Sequence, residues 1–313
     1  MRARNKILAL ILAAAMPFTF AACGSDDKGS KTVQQESTAT DKDSAIDKDS
    51  ASDEKSAADL LADAQEKING VKSMSAVMNM EMDMDVEAKG EKQSMQTVTD
   101  MNMVYFKDPL KLKAEMKMDM GEAGSTSAQI YAEMDDEGKY TMYMGDGTNW
   151  QAQSVQLTDL EQYDAASNMN NYLDESYNFE MAGTEQVNGK DAYKLEGKIT
   201  GDDMKEAMLS SGALDSLSSL NVDSAQLESM LDGLGDIPII MWIDKESGYP
   251  SQYDMDMSDV MSSLMSKIVE SMGEQTEGFS MNVSKMKIKM TCSDYDAAED
   301  FEIPKKAKKA KKA

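Results

Sequence analysis

Histidine is absent from this chain of 313 residues, cysteine occurs twice, proline five times, and aromatic residues make up only 6%. Without histidine there is no Ser-His-Asp or Cys-His nucleophile system, no imidazole base and no imidazole ligand set for zinc or copper. Positive charge is scarce too: 32 basic residues face 57 acidic ones, a net charge of -25. So acidic a surface repels phosphate backbones, which argues against a nucleic-acid partner. Long apolar runs are confined to Ile7 to Ala15, too short to span a bilayer. What is abundant is methionine, with 30 residues in a composition that is 41% apolar, enough for a sizeable core.

The two ends read as separate from the fold. Arg2, Arg4 and Lys6 precede the apolar run, and small residues lead to Cys23, the pattern of a signal peptide over residues 1–22. Residues 24–56 are rich in Ser, Asp, Lys, Thr and Ala, as expected of a disordered tether beginning at Cys23. From Lys305 to Lys312 six lysines make a basic tail, expected to be disordered over residues 305–313 and to contact an anionic surface. With the basic leader and tail set aside, residues 23–304 carry a net charge of -34.

Between the ends the pattern alternates. Met74, Ala76, Met78, Met80, Met82, Met84 and Val86 share one parity, while Asn79, Glu81, Asp83 and Asp85 share the other. This predicts a long antiparallel strand with one dry face. Leu110, Leu112, Ala114, Met116, Met118 and Met120 repeat it. Turn signals such as Asp108-Pro109, Gly145-Asp146-Gly147, Asn188-Gly189 and Ser247-Gly248 divide the rest. About eleven strands are predicted near 73–88, 93–106, 110–120, 126–135, 139–145, 149–156, 179–187, 192–200, 238–244, 250–257 and 279–294. The last changes parity between Val283 and Met286, which predicts a bulge near Ser284. Helices are expected after Ser56-x-x-Asp59, after Thr158-x-x-Glu161, after Thr200-x-x-Asp203 through Leu214, Leu217, Leu227, Met230 and Leu231, and from Ser258 to Met272. A one-sided sheet must cover its dry face. The economical fold is therefore mainly β with helices (α+β): an open, strongly curved antiparallel half-barrel over residues 57–304, its concave face covered by the helices.

The junction Phe20-Ala21-Ala22-Cys23 resembles the lipobox of bacterial lipoproteins, with Phe20 where Leu is usual. The resemblance implies a diacylated Cys23 that anchors the protein at the extracytoplasmic face of the cell membrane. Tyr105-Phe106-Lys107-Asp108-Pro109, the Gly145 to Trp150 turn, Val187 to Leu195, Met241 to Pro250 and Phe301-Glu302-Ile303-Pro304 follow in order. Together they resemble the half-barrel lipoprotein carriers of the LolA and LppX/LprG type, most closely lipoproteins of Gram-positive (Firmicute-type) bacteria. That resemblance implies an apolar cavity for acyl chains beneath a helical lid.

The strand methionines admit three readings: core filling, a deformable surface for a hydrophobic ligand, and Cu(I) binding by soft thioethers. Copper is the weakest, because metal-binding Met clusters usually lie in exposed segments with His or Cys nearby. Asp83-x-Asp85 lacks the glycine and terminal Glu of a calcium loop, so no metal or cofactor is expected. With Cys23 lipidated, Cys292 is the only cysteine left, so no intramolecular disulfide is expected and it reads as a small buried apolar residue. The expectation is a monomeric, non-enzymatic lipoprotein that binds a lipid or acylated molecule. The candidate cavity residues are Met78, Met80, Met82, Met84, Leu112, Met116, Met118, Met142, Trp242, Leu264 and Ile268. The alternative is a sensor or interaction module with a filled core.

Overall fold

The computed structural model describes residues 55–88, 90–135, 138–157, 160, 165–210, 229, 231–271 and 279–311. The expectations for the leader, Cys23 and the tether up to residue 54 lie outside the described residues, as do those for Thr158, Glu161, Leu214, Leu217, Leu227, Met230 and Met272.

Eleven strands form one sheet: β1 (Ser73–Ala88), β2 (Glu91–Lys107), β3 (Leu110–Asp119), β4 (Ser125–Met134), β5 (Tyr140–Gly145), β6 (Trp150–Val155), β7 (Glu180–Val187), β8 (Lys190–Ile199), β9 (Ile237–Asp244), β10 (Pro250–Asp256) and β11 (Phe279–Ser293). Their order is β6-β5-β4-β3-β2-β1-β11-β10-β9-β8-β7. Two antiparallel meanders, β1 to β6 and β7 to β11, are thus joined where the first strand pairs with the last. The sheet is open and curved, as expected, with β6 and β7 at its edges.

Period-two alternation decides which side chains go inside. Across the central seam, Met78 lies opposite Met290, Met80 opposite Ile288 and Met82 opposite Met286. The register then slips between Asp83 and Met84, leaving Ser284 as the extra residue of a bulge that restores Val283 and Met281 to the dry face. On the outer face the same pairing sets acids of β1 against lysines of β11. Glu81 pairs with Lys285, and Lys287 lies 3.1 Å from Asp256 of β10.

Helices α1 (Ala57–Asn69), α2 (Ala165–Asn171), α3 (Gly201–Ser210) and α4 (Ser258–Ser271) accompany the sheet. Helix α1 opens on a capping box: the Ser56 Oγ accepts from the Asp59 amide at 3.2 Å, and the Asp59 carboxylate accepts from the Ser56 amide at 3.2 Å. Thr200 and Asp203 repeat the arrangement at α3. Leu60, Leu61, Ala64 and Ile68 of α1 and Val260, Met261, Leu264 and Ile268 of α4 join the strand methionines in one core. Cys292 is buried there opposite Ala76, and burial pushes its thiol pKa up to about 12.

The expected disordered tail differs. Lys305–Lys308 form a short helix, α5, packed on the outer face of β5 and β6. Alanine at every third position gives the segment a small-residue side: Ala307 is fully buried with Ile303 among Tyr131, Tyr143 and Ala152.

The β9–β10 turn hangs on one carboxylate. Asp244, 5% exposed, accepts from the Ser247 amide (2.6 Å), the Ser247 hydroxyl (2.8 Å) and the Glu246 amide (3.1 Å). Desolvation pushes its pKa up, but these hydrogen bonds and the nearby Lys190 outweigh it and hold the group below its ordinary 3.8. A folded-state pKa below the unfolded one gives stability that is fully present above the unfolded value and lost as pH falls through the folded one. Asp244→Ala should therefore lower the unfolding free energy at pH 7 by about 1–3 kcal/mol. The difference from the parent should shrink below pH 3.8, as urea titrations at the two pH values would measure.

Candidate functional site

The dry face is not uniform. Over β8 to β11 it is sealed: Leu195 and Met241 are fully buried, and Ile237, Ile239 and Met286 nearly so. Over β1 it is also closed, with Met80 and Met82 each 5% exposed and Met84 2%. Met78 is half-buried and packs on this core. Leu112, Leu264 and Ile268 belong to the same sealed cluster.

The character changes toward β2–β5. Met101 of β2 lies opposite Met116 of β3, Met116 opposite Ala128 of β4, and Ile130 of β4 opposite Met144 of β5. Met118 follows Met116 on the same side and lies opposite Thr99. Met101, Met116, Met118, Ile130 and Met144 are all half-buried, and among the described residues none of them packs against the sealed core. Met142, also half-buried, connects this patch to the core. The arrangement is a continuous apolar shelf, rich in unbranched thioether side chains, beside a closed core. Such side chains adapt to partners of variable shape.

At the border stands Thr99, 1% exposed, whose hydroxyl has no hydrogen-bond partner among the described residues. Its strand register sets it between Met80 and Met118 on the inner face. A buried hydroxyl without a partner costs about 1–3 kcal/mol, so an occupant offering it an acceptor or donor would recover that cost. Among the described residues no group of three or more Cys, Asp or Glu side chains is placed to hold a metal ion.

Trp242 is a correction to the sequence reading. It is buried, but on the outer face with Val187 and Ala192, where its indole donates to Glu185 at 3.1 Å and the Lys194 ammonium sits 5.9 Å from the ring centroid. Its neighbours Met241 and Ile243 take the inner positions. The run from Ile237 to Ile243 is apolar on both parities, so alternation could not assign a face. Met95, Met101 and Met103 were missed for the opposite reason. Their parity continues through Thr97 and Thr99, and two polar residues hid a dry face that runs from Met95 to Tyr105.

A family profile described as a family of unknown function (DUF6612) matches residues 56–312. The chain belongs to that family. The match begins at the cap of α1 and takes in the basic C-terminal segment, so the family's extent follows the folded unit. No curated protein matches the chain. Among solved structures it is similar to the lipoprotein LppX of Mycobacterium tuberculosis, at 13% identity and a TM-score of 0.41, over 78% of this chain and 98% of that one. LprF of Mycobacterium bovis gives 13% and 0.41, over 79% and 96%. A LolA superfamily protein of Nitrosomonas europaea gives 10% and 0.20, over 81% and 97%.

The two halves of the dry face should respond differently to truncation. Met80→Ala should cost about 2–4 kcal/mol, as a buried Met does. Met116→Ala, on the half-exposed shelf, should cost under about 1 kcal/mol. Denaturant unfolding of both variants would compare them, and equal costs would mean that the shelf is core.

Proposed function

We propose that this protein is a lipoprotein of the Gram-positive type, anchored through Cys23 at the extracytoplasmic face of the bacterial cell membrane, and that its half-barrel binds a hydrophobic ligand without chemical conversion. The observation that carries the reading is the shelf formed by Met101, Met116, Met118, Ile130 and Met144, joined to the core through Met142 and itself only half-buried. An apolar surface of this kind suits an acyl chain better than a reaction centre. The lipobox around Cys23 supports the membrane address, and no helix among the described residues is long and apolar enough to cross a membrane. The unpartnered Thr99 hydroxyl favours an occupant with a polar group close to its chain.

The sealed half, where Leu195 and Met241 are fully buried, favours a second reading: a monomeric interaction module whose core is filled and whose acidic outer face meets a protein partner.

Lipid mass spectrometry on organic extracts of the full chain carrying Cys23→Ser separates the two. The carrier reading expects about one lipid per chain, and binding of a pyrene-labelled fatty acid that Met116→Lys with Met118→Lys weakens at least about tenfold without lowering the melting temperature by more than a few degrees. A lipid-free protein that also ignores the fatty acid would leave the filled-core module standing.

A further inference from the structure

The lysines of the C-terminal segment are not a loose tail, and their placement gives them a direction. Phe301 lies between Phe106, 6.3 Å away, and Tyr131, 6.0 Å away. Lys111 donates to the Phe301 carbonyl at 2.6 Å and stands 4.5 Å from its ring centroid. Ile303 and Ala307 are buried against Tyr131 and Tyr143 of the outer sheet face, with Trp150 and Ala310 at the margin. Lys308 closes the contact through Glu133 at 2.9 Å. With the alanine side held down, Lys305, Lys306, Lys309 and Lys311 are exposed, and none of them forms an ion pair among the described residues.

We propose that this docked segment is a basic platform that seats the outer face of β4–β6 on an anionic lipid bilayer. Residues 23–304 carry a net charge of -34, so most of the surface is repelled by an anionic membrane. Within the Debye length of about 8 Å at physiological salt, the platform is the part that gains on approach. Its chemistry suits a dense layer of headgroups rather than a shaped ligand. Among its described residues the segment has four lysines outside any ion pair and no exposed aromatic ring for stacking on a base, and its sequence has no arginine for bidentate recognition. The contact lies on the sheet face opposite the methionine shelf and does not depend on whether the shelf holds a ligand.

The chain's two tryptophans make the orientation measurable. Trp150 belongs to the cluster under the platform, whereas Trp242 lies on β9, eight strands away in the sheet order and so about 38 Å along the sheet. Full chain carrying Cys23→Ser, so that its own anchor plays no part, is mixed with vesicles of phosphatidylcholine containing phosphatidylglycerol and a dansyl lipid. Binding should appear at low salt, vanish in high salt, and be absent with phosphatidylcholine alone. Replacing Lys305, Lys306, Lys309 and Lys311 together by Gln should weaken it several hundredfold, at about fivefold per lysine. In the Trp242→Phe variant, which keeps Trp150, energy transfer to the dansyl lipid should exceed that of Trp150→Phe severalfold. Ala307→Gln, which keeps every charge but wedges the buried side, should preserve binding and abolish that difference. Unchanged binding by the four-Gln variant, equal transfer from the two tryptophans, or a transfer difference that survives Ala307→Gln would each overturn the platform.

Discussion

The antiparallel pairing of β1 with β11 is the interaction on which the rest of the structure depends. It joins two meanders that would otherwise be separate sheets, and its register decides what each face becomes. Because side chains alternate strictly along a strand, a slip of one residue would exchange the methionines of β1 with its acids. The sequence guards against this on both faces. Inside, Met78, Met80 and Met82 oppose Met290, Ile288 and Met286. Outside, Lys285, Lys287 and Lys289 of β11 run between acids and Asn79 on β1 and Asp254 and Asp256 on β10, so a register shifted by one residue would strand lysines against methionines. The net charge of the domain is therefore unevenly spread, with the acids of the central seam matched by neighbouring lysines.

Methionine is a sensible choice for the inner face of such a sheet. A β-branched residue would stiffen the strand and pack with a fixed shape, whereas the thioether chain adjusts to what lies above it. Where, among the described residues, α4 packs on β11 and α2 on β1, the methionines close to almost no exposure. Beyond that cover, across β2–β5, the same residue type on the same parity remains half-exposed. One repeated sequence pattern thus yields both a core and a shelf, and the difference lies in what packs over the strands.

That distinction marks the limit of what could be read in advance. The strands were legible almost to the residue because alternation and turn chemistry are local signals, and the bulge at Ser284 was legible because Val283 and Met286 disagree in parity. The caps at Ser56 and Thr200 were legible from spacing alone. Trp242 was assigned to the wrong face because an apolar run carries no parity. Whether Met116 is sealed or half-exposed depends on segments distant in sequence, and no local pattern encodes it. The lysine-rich end hid its order for a related reason. Its apolar contribution is one alanine in three, and only the aromatic surface awaiting it on β4–β6 makes so small a residue an anchor.

An open half-barrel has two edges, and unpaired edges invite association with other chains. The protein treats them differently. At β7 the defence is local: seven of the eight strand residues are exposed, Glu180 and Glu185 place negative charge along the strand, and Gly183, with φ of +117°, marks a register shift against β8. At β6 the neighbourhood is shaped by a segment distant in sequence, because α5 packs on the outer face of β5 and β6 and brings its lysines with it. A neutral segment could fill the same contact. The lysine pairs between the alanines are therefore not required by the packing, which uses Ile303, Ala307 and the margin of Ala310, with Lys308 bound to Glu133. The surplus charge is directed outward from the β5–β6 end of the sheet. Packing and charge presentation are thus combined in a single short segment, which gives an otherwise acidic half-barrel a polarity along its strand order.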